Sequence, residues 1–325
     1  MNTRVRLIAM RLVTTLAVLA GPVGSAFGQQ VTLQYRWRKG DEVSYRFVEQ
    51  TTTTTMSGLP GSGEVAVDTT FNQVIRTVVD DVAADGTATL HYVFHSARWE
   101  MKSPMGTIAS DTVTSDSTAP NSLAAVMNKV LSTLVGQSFV IVMSPNGQVQ
   151  SVEGMNTVME KVFKTLPADP SVAAMLDGLK NSFSEESTRG ALAQGYGQLP
   201  DRPLAPGDTW NSRWTATHPV VGRLTTTNVS TLKSVETVGA DSVATVTTNL
   251  AMTQDQPAPI GPSGLTMQSG SSGESEMIFD VARGRLRRST SRATMPMKMS
   301  GPGPDGNPMN IQAVVKSLFT MELVQ

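Results

Sequence analysis

The chain has 325 residues, with 26 lysines and arginines against 27 aspartates and glutamates. Its formal charge of −1 gives no field to attract nucleic acid or to steer acidic substrates. It contains no cysteine, which excludes disulfides, thiolate catalysis, zinc–sulfur sites and the lipid-bearing cysteine of a lipoprotein.

Residues 1–28 read as an export signal. Arg4, Arg6 and Arg11 precede or open the apolar run Leu12–Ala20, and the small residues Ala26 and Gly28 fit cleavage before Gln29. The run is shorter than the ~20 residues of a membrane span. The expectation is a bacterial protein released to the periplasm or secreted.

A first β half is expected over 29–119. Val31, Leu33, Tyr35 and Trp37 alternate with polar residues, the period of a half-buried strand. Gly40-Asp41 turns, Val43, Tyr45 and Phe47 resume the alternation, and Thr51–Thr55 leads to a hairpin tip at 58–63. Val65–Val79 returns, Asp85-Gly86 turns, and Leu90, Tyr92 and Phe94 share a face of the next strand.

A helical segment is expected over 120–198. Leu123, Val126, Met127, Val130, Leu131 and Leu134 form one apolar stripe, with Asn121 or Ser122 as cap. A short hairpin (139–150) turns at Pro145-Asn146-Gly147. Met155, Val158, Met159, Val162, Phe163 and Leu166 repeat the stripe. A third helix follows Asp169-Pro170 through Phe183, and a weaker one spans Glu185–Gln194.

The second β half occupies 199–325. Gly207-Asp208 restarts an aromatic strand with Trp210 and Trp214, as Gly40-Asp41 does with Tyr45 and Phe47. Met277–Val281 followed by Gly284 mirrors Val140–Ser144 followed by Gly147, so the halves read as an internal duplication. Gln256–Gly273 and Ser300–Pro308 are rich in Pro, Gly and Ser and read as mobile hairpin tips. Ile311, Ala313, Val315, Phe319, Met321 and Leu323 mark a long final strand, a length that suits a curved sheet. The fold class expected is α+β: a long, curved, mostly antiparallel, half-barrel-like sheet from two related halves, with a helical insertion packed on one face.

No nucleophile elbow, His-Glu-x-x-His motif or phosphate-cradling loop occurs. On a strand His91 and His95 stand ~13 Å apart, too far for one ion, and His218 lies elsewhere. The pairs Asp80-Asp81 and Glu185-Glu186 are scattered. No metal site and no cofactor are expected. Met295, Met297 and Met299 alternate on one strand, with Met309, Met101 and Met105 as further methionines. Such thioethers suit core filling, an adaptable apolar pocket or Cu(I). Arg283, Arg285 and Arg287 suit a solvated basic face or contact with anionic envelope surfaces. Trp37, Trp99, Trp210 and Trp214 are candidate core anchors.

At Gly40-Asp41, at Leu199-Pro200 with Pro206-Gly207-Asp208-Thr209-Trp210, and at Phe279-Asp280 with Gly284, the chain resembles a family of exported bacterial proteins of unknown function, number 6263. These motifs are turns and core aromatics, so the resemblance implies an architecture and supplies no active residues. The strand and helix pattern is also similar, at the level of fold, to half-barrel lipoprotein carriers of the envelope. Together these readings favour a non-enzymatic binding or envelope-associated protein that holds a lipid or other apolar small molecule between sheet and helices. The candidate lining is Met127, Met159, Phe163, Met295, Met297 and Met299. The competing readings are a structural or assembly protein with a filled core, and a carboxylate-dependent hydrolase.

Overall fold

A computed structural model describes residues 30–57, 63–112, 123–166, 183–218, 222–238, 241–255, 258–260, 265–302 and 308–324. The export signal at 1–28, the caps Asn121 and Ser122, and nearly all of the third helix expected after Asp169-Pro170 lie outside these residues. The tip at 58–63 does too, but for Gly63.

Among the described residues the chain forms a 13-stranded, mostly consecutive antiparallel sheet with three helices, an α+β fold. The strands are β1 (Glu42–Ser57), β2 (Glu64–Val82), β3 (Ala88–Ser103), β4 (Gly106–Asp111), β5 (Ser138–Met143), β6 (Val149–Glu153) and β7 (Thr209–His218). They continue with β8 (Gly222–Val238), β9 (Asp241–Gln254), β10 (Ala258–Ile260), β11 (Leu265–Asp280), β12 (Arg285–Pro302) and β13 (Pro308–Val324). The helices are α1 (Leu123–Leu134), α2 (Met155–Lys164) and α3 (Glu185–Tyr196).

The sheet order is β6-β5-β3-β2-β1-β13-β12-β11-β9-β8-β7, with β4 on β3 and β10 on β11. The sheet is open, since β6 and β7 do not pair. The first and last strands meet at its centre, where Tyr45 opposes Leu323 and Phe47 opposes Met321. Sequence separation is thus greatest where the two halves join.

Val31, Leu33, Tyr35 and Trp37 are buried as their alternation predicts, but this segment is no sheet member. It crosses the turns instead. Val31 bridges Leu204, the Tyr35 N–H donates to Pro145 O, and the Arg36 N–H donates to Gly284 O. Gly147 and Gly284, in the β5–β6 and β11–β12 turns, both take positive φ, 82° and 63°.

The two Gly-Asp turns make the same bonds. The Gly40 N–H donates to Val79 O and the Val79 N–H to Asp41 O; the Gly207 N–H donates to Leu232 O and the Leu232 N–H to Asp208 O. Each partner strand then shifts register just beyond, at Val79/Asp81 and at Leu232/Ser234.

The Gly-Ser stretch at 265–273, expected as a loop tip, is the first half of β11 and pairs with both β9 and β12. Residues 266–269 pair with β12, 265–267 with β10 and 270–273 with β9, so backbone bonds outweigh weak side-chain propensity.

The α3 helix is capped by the Ser184 side chain, which accepts from the Ser187 N–H, and Glu185 and Glu186 stand in its favourable first turn. Its last residue is the centre of the core. The Tyr35 hydroxyl donates to Tyr196 O at 2.6 Å, the Tyr92 and Tyr196 hydroxyls are hydrogen-bonded, and Tyr45 meets the Tyr196 ring edge-on at 6.1 Å. All four tyrosines of the chain are therefore in this cluster, and burial pushes each hydroxyl's pKa up. Gly195 lets α3 lie close to β13, since a Cβ there would stand 2.9 Å from Met321 Sδ.

Arg283, Arg285 and Arg287 are not a free basic face. Arg283 and Arg287 both pair with Asp280 and Asp241, while Arg285 pairs with Asp41 and stacks over Trp37 at 5.5 Å. Asp41 and Asp241, distant in sequence, thus meet the start of β12, where Asp280 is a near neighbour in the chain.

Candidate ligand cavity

The inward face of β1 carries Val43, Tyr45, Phe47, Glu49 and Thr51 at period two. The first three are buried in the core. Beyond Phe47, α1, α3 and Phe183 stand over the sheet without filling the space beneath. A cavity of about 440 Å³ results. Its floor includes Phe47, Phe71, Ile75, Phe94, Trp99 and Phe319 from β1, β2, β3 and β13. Its roof includes Met127, Val130, Leu131 and Leu134 from α1, with Ala191 and Leu192 from α3.

One charged side chain lines it among the described residues, Glu49. Strand register sets Glu49 between Phe319 of β13 and Phe71 of β2, with Gln73 as its diagonal neighbour on the same face. Glu49 is exposed and borders the cavity. The surrounding apolar walls withhold full hydration, which pushes its carboxyl pKa up. The Gln73 side-chain oxygen is buried and has no hydrogen-bond partner among the described residues. Thr51 and Thr69, directly opposed on β1 and β2, complete this polar end.

A carboxyl with a raised folded pKa favours folding while protonated, and that contribution is lost as pH rises through the raised value. Glu49→Gln is therefore expected to raise the melting temperature at neutral pH. It should also flatten the fall in stability above the ordinary glutamate pKa of about 4.3. Thermal melts across pH check both; an unchanged pH profile would contradict the assignment.

The six candidate lining residues separate. Met127 lines the cavity. Met159 is buried and Phe163 half-buried on α2, which packs against α1 and β5. Met295 lines a second cleft of about 240 Å³ over β8, β9, β11 and β12, beside α3. Met297 and Met299 pack with Met252 against Leu224. Met101 and Met105 belong to the β3–β4 region, four inter-strand steps and about 19 Å from β12. The Met309 and His218 side chains lie outside the described residues.

The second cleft is hydroxyl-rich, with Ser230, Thr248, Ser275 and Ser291 in one cross-strand row. Trp214, at 36% exposure, faces this cleft and is no core anchor, whereas Trp37 is buried. His91 pairs with Asp80 at 3.3 Å. Among the described residues no three His, Asp or Glu side chains converge as a metal-binding group.

Glu49 and Gln73 are not among the lining residues expected from the sequence. The signal was present: continuing the alternation from Val43 through Phe47 by one step places an acid on the core face. Gln73 follows from the same alternation running back along β2 from Ile75.

A profile for a family of unknown function, DUF6263, matches residues 85–284, more than half of the chain. The chain belongs to this family. The match begins at the Asp85-Gly86 turn and ends at Gly284, so the DUF6263 region holds α1, α2 and α3 and both glycine turns that receive residues 31–37. No curated protein matches the sequence. Among solved structures, the chain is similar to lipovitellin, in a structure titled for its lipid–protein interactions, with 10% identity and a TM-score of 0.41. That match covers 89% of this chain and 26% of lipovitellin, so the chain spans about a quarter of that protein. An outer membrane channel from Pseudomonas putida F1 matches with 9% identity and a TM-score of 0.22, over 89% of this chain and 97% of the channel.

Proposed function

We propose that this DUF6263 protein is an exported, non-enzymatic binding protein of the bacterial periplasm or exterior, which holds one apolar small molecule between its sheet and helices. The observation that carries this reading is the cavity of about 440 Å³ under α1 and α3. Its size falls within the ~300–1,000 Å³ of small-molecule sites, and its walls are aromatic and aliphatic with a few polar groups at one place, as such sites are. The export signal read at residues 1–28 supports the location.

The sheet in this reading wraps as a half-barrel around α3, which touches β6 at one edge and β12 beyond the centre. The halves in it descend from one duplicated unit. The matching bonds and register shifts of the two Gly-Asp turns support that descent.

Ala191 is exposed on α3 and borders the cavity, so a larger side chain there enters the empty space without displacing core atoms. Ala191→Trp is expected to weaken binding of a fluorescent fatty-alcohol probe by at least ~tenfold, and to shift the melting temperature by no more than about 4 °C. Native mass spectrometry of protein purified from its own periplasm should show an extractable apolar molecule near one per chain. A clean apo mass together with no probe uptake would overturn the reading.

A further inference from the structure

The geometry points to a ligand whose apolar body ends in a hydrogen-bond-donating head, an amine or an alcohol, received by Glu49 and Gln73, and to discrimination against ligands ending in a carboxylate. This rests on the apolar-ligand reading above and adds the chemistry of the ligand's polar end.

Glu49 is exposed where it borders the cavity, so its carboxyl is hydrated. No protein donor reaches it among the described residues: it has no ion pair and no hydrogen bond, although Arg, Lys and Gln side chains elsewhere in the molecule find partners. An occupant that fills the cavity expels that water. A purely apolar occupant would then strand an acid and the Gln73 oxygen in an apolar site, and an unpaired buried polar group is costly. The occupant must therefore bring the missing donor.

The sign of the charge follows from the lining. Among the described lining residues the one ionisable group is an acid, and no Lys, Arg or His stands with it. A fatty carboxylate placed there would meet Glu49 as a like charge with no cation to offset it, whereas an ammonium would form a pair and a hydroxyl would donate to the carboxylate. Thr51 and Thr69 beside Glu49 supply hydroxyls that can serve the remaining valences of such a head. Two independent features, the lone acid and the orphaned Gln73 oxygen, thus both call for a donor.

The test compares decylamine, decanol and decanoate binding to the full chain by titration calorimetry at neutral pH. Decylamine and decanol are expected to bind at least ~tenfold more tightly than decanoate, since like charges juxtaposed in an interface are strongly disfavoured. In Glu49→Gln, which keeps shape and volume, the decylamine-to-decanoate ratio should collapse by about tenfold or more. Wild-type binding of decanoate as tight as decylamine would overturn the inference while leaving the apolar-ligand reading intact. So would a Glu49→Gln protein with an unchanged ratio. Failure of all three compounds to bind would overturn both. The wild-type ranking decides the matter even if the variant does not fold.

Discussion

Gly147→Ala is expected to lower the melting temperature by roughly 10 °C, the sum of two costs at one position. Gly147 sits at φ 82°, where an L side chain costs about 1–2 kcal/mol. A Cβ added there would also stand 2.4 Å from the Gly197 carbonyl oxygen and 2.9 Å from the Tyr35 ring. Neither neighbour is free to move: Gly197 ends α3, and Tyr35 is fixed by its bond to Tyr196 O. Overpacking of this kind adds about 1–3 kcal/mol, and each kcal/mol corresponds to roughly 2–4 °C in a protein of this size class. Gly40→Ala is the internal control. Gly40 has the same φ of 82° with no atom within 4 Å of a Cβ, so it should show the conformational cost alone. Equal losses in the two variants would remove the packing argument.

Asp280→Ala is expected to cost ~3 kcal/mol, the lower end of the effect of breaking a buried ion pair. The Asp280 side chain is 4% exposed and accepts from the Arg283 backbone N–H at 2.9 Å, from Arg283 Nη1 at 2.8 Å and from Arg287 Nη2 at 2.7 Å. The cost stays at the lower end because both arginines keep solvent contact and Asp241. Burial by itself would raise the Asp280 pKa, but these donors and the Arg287 charge outweigh it and hold the carboxyl below its usual range. A depressed carboxyl stabilises the fold above the unfolded value of about 3.9 and loses that contribution as pH falls through the folded value. The gap between wild type and Asp280→Ala, measured by urea denaturation, should therefore be full at pH 6 and shrink as the medium becomes strongly acidic. A gap that does not change with pH would assign the loss to packing instead of charge.

Much of the fold was legible because local periodicity and turn chemistry act on neighbours in sequence. The stripes of α1 and α2, the hairpin at 139–150, and the turns at Asp85-Gly86, Gly147 and Gly284 follow from spacing and from glycine alone. The same alternation made Val31–Trp37 look like a strand. Its burial follows from that alternation, but its hydrogen-bond partners, Leu204 and two turns, all more than 100 residues away in sequence, do not. The weak helix at Glu185–Gln194 proved central, because its value lies in Tyr196 and in a close approach through Gly195, neither of which raises an amphipathic signal.

The sequence by itself determined the strand-rich composition, the near-neutral net charge, the absence of thiol chemistry, and the apolar faces of β1, β3, α1 and α2. Those properties reside in single residues or in residues a few positions apart. The tertiary structure alone decided that β1 pairs with β13, which sets Glu49 between Phe319 and Phe71, and that α1 and α3 stand off this floor far enough to leave a cavity. It also decided that Met127 joins that cavity while Met295, Met297 and Met299 do not. The physical reason is the same in each case: register and packing distance arise from contacts between segments tens to hundreds of residues apart, and a stripe of apolar side chains looks alike whether it meets a filled core or lines a cavity.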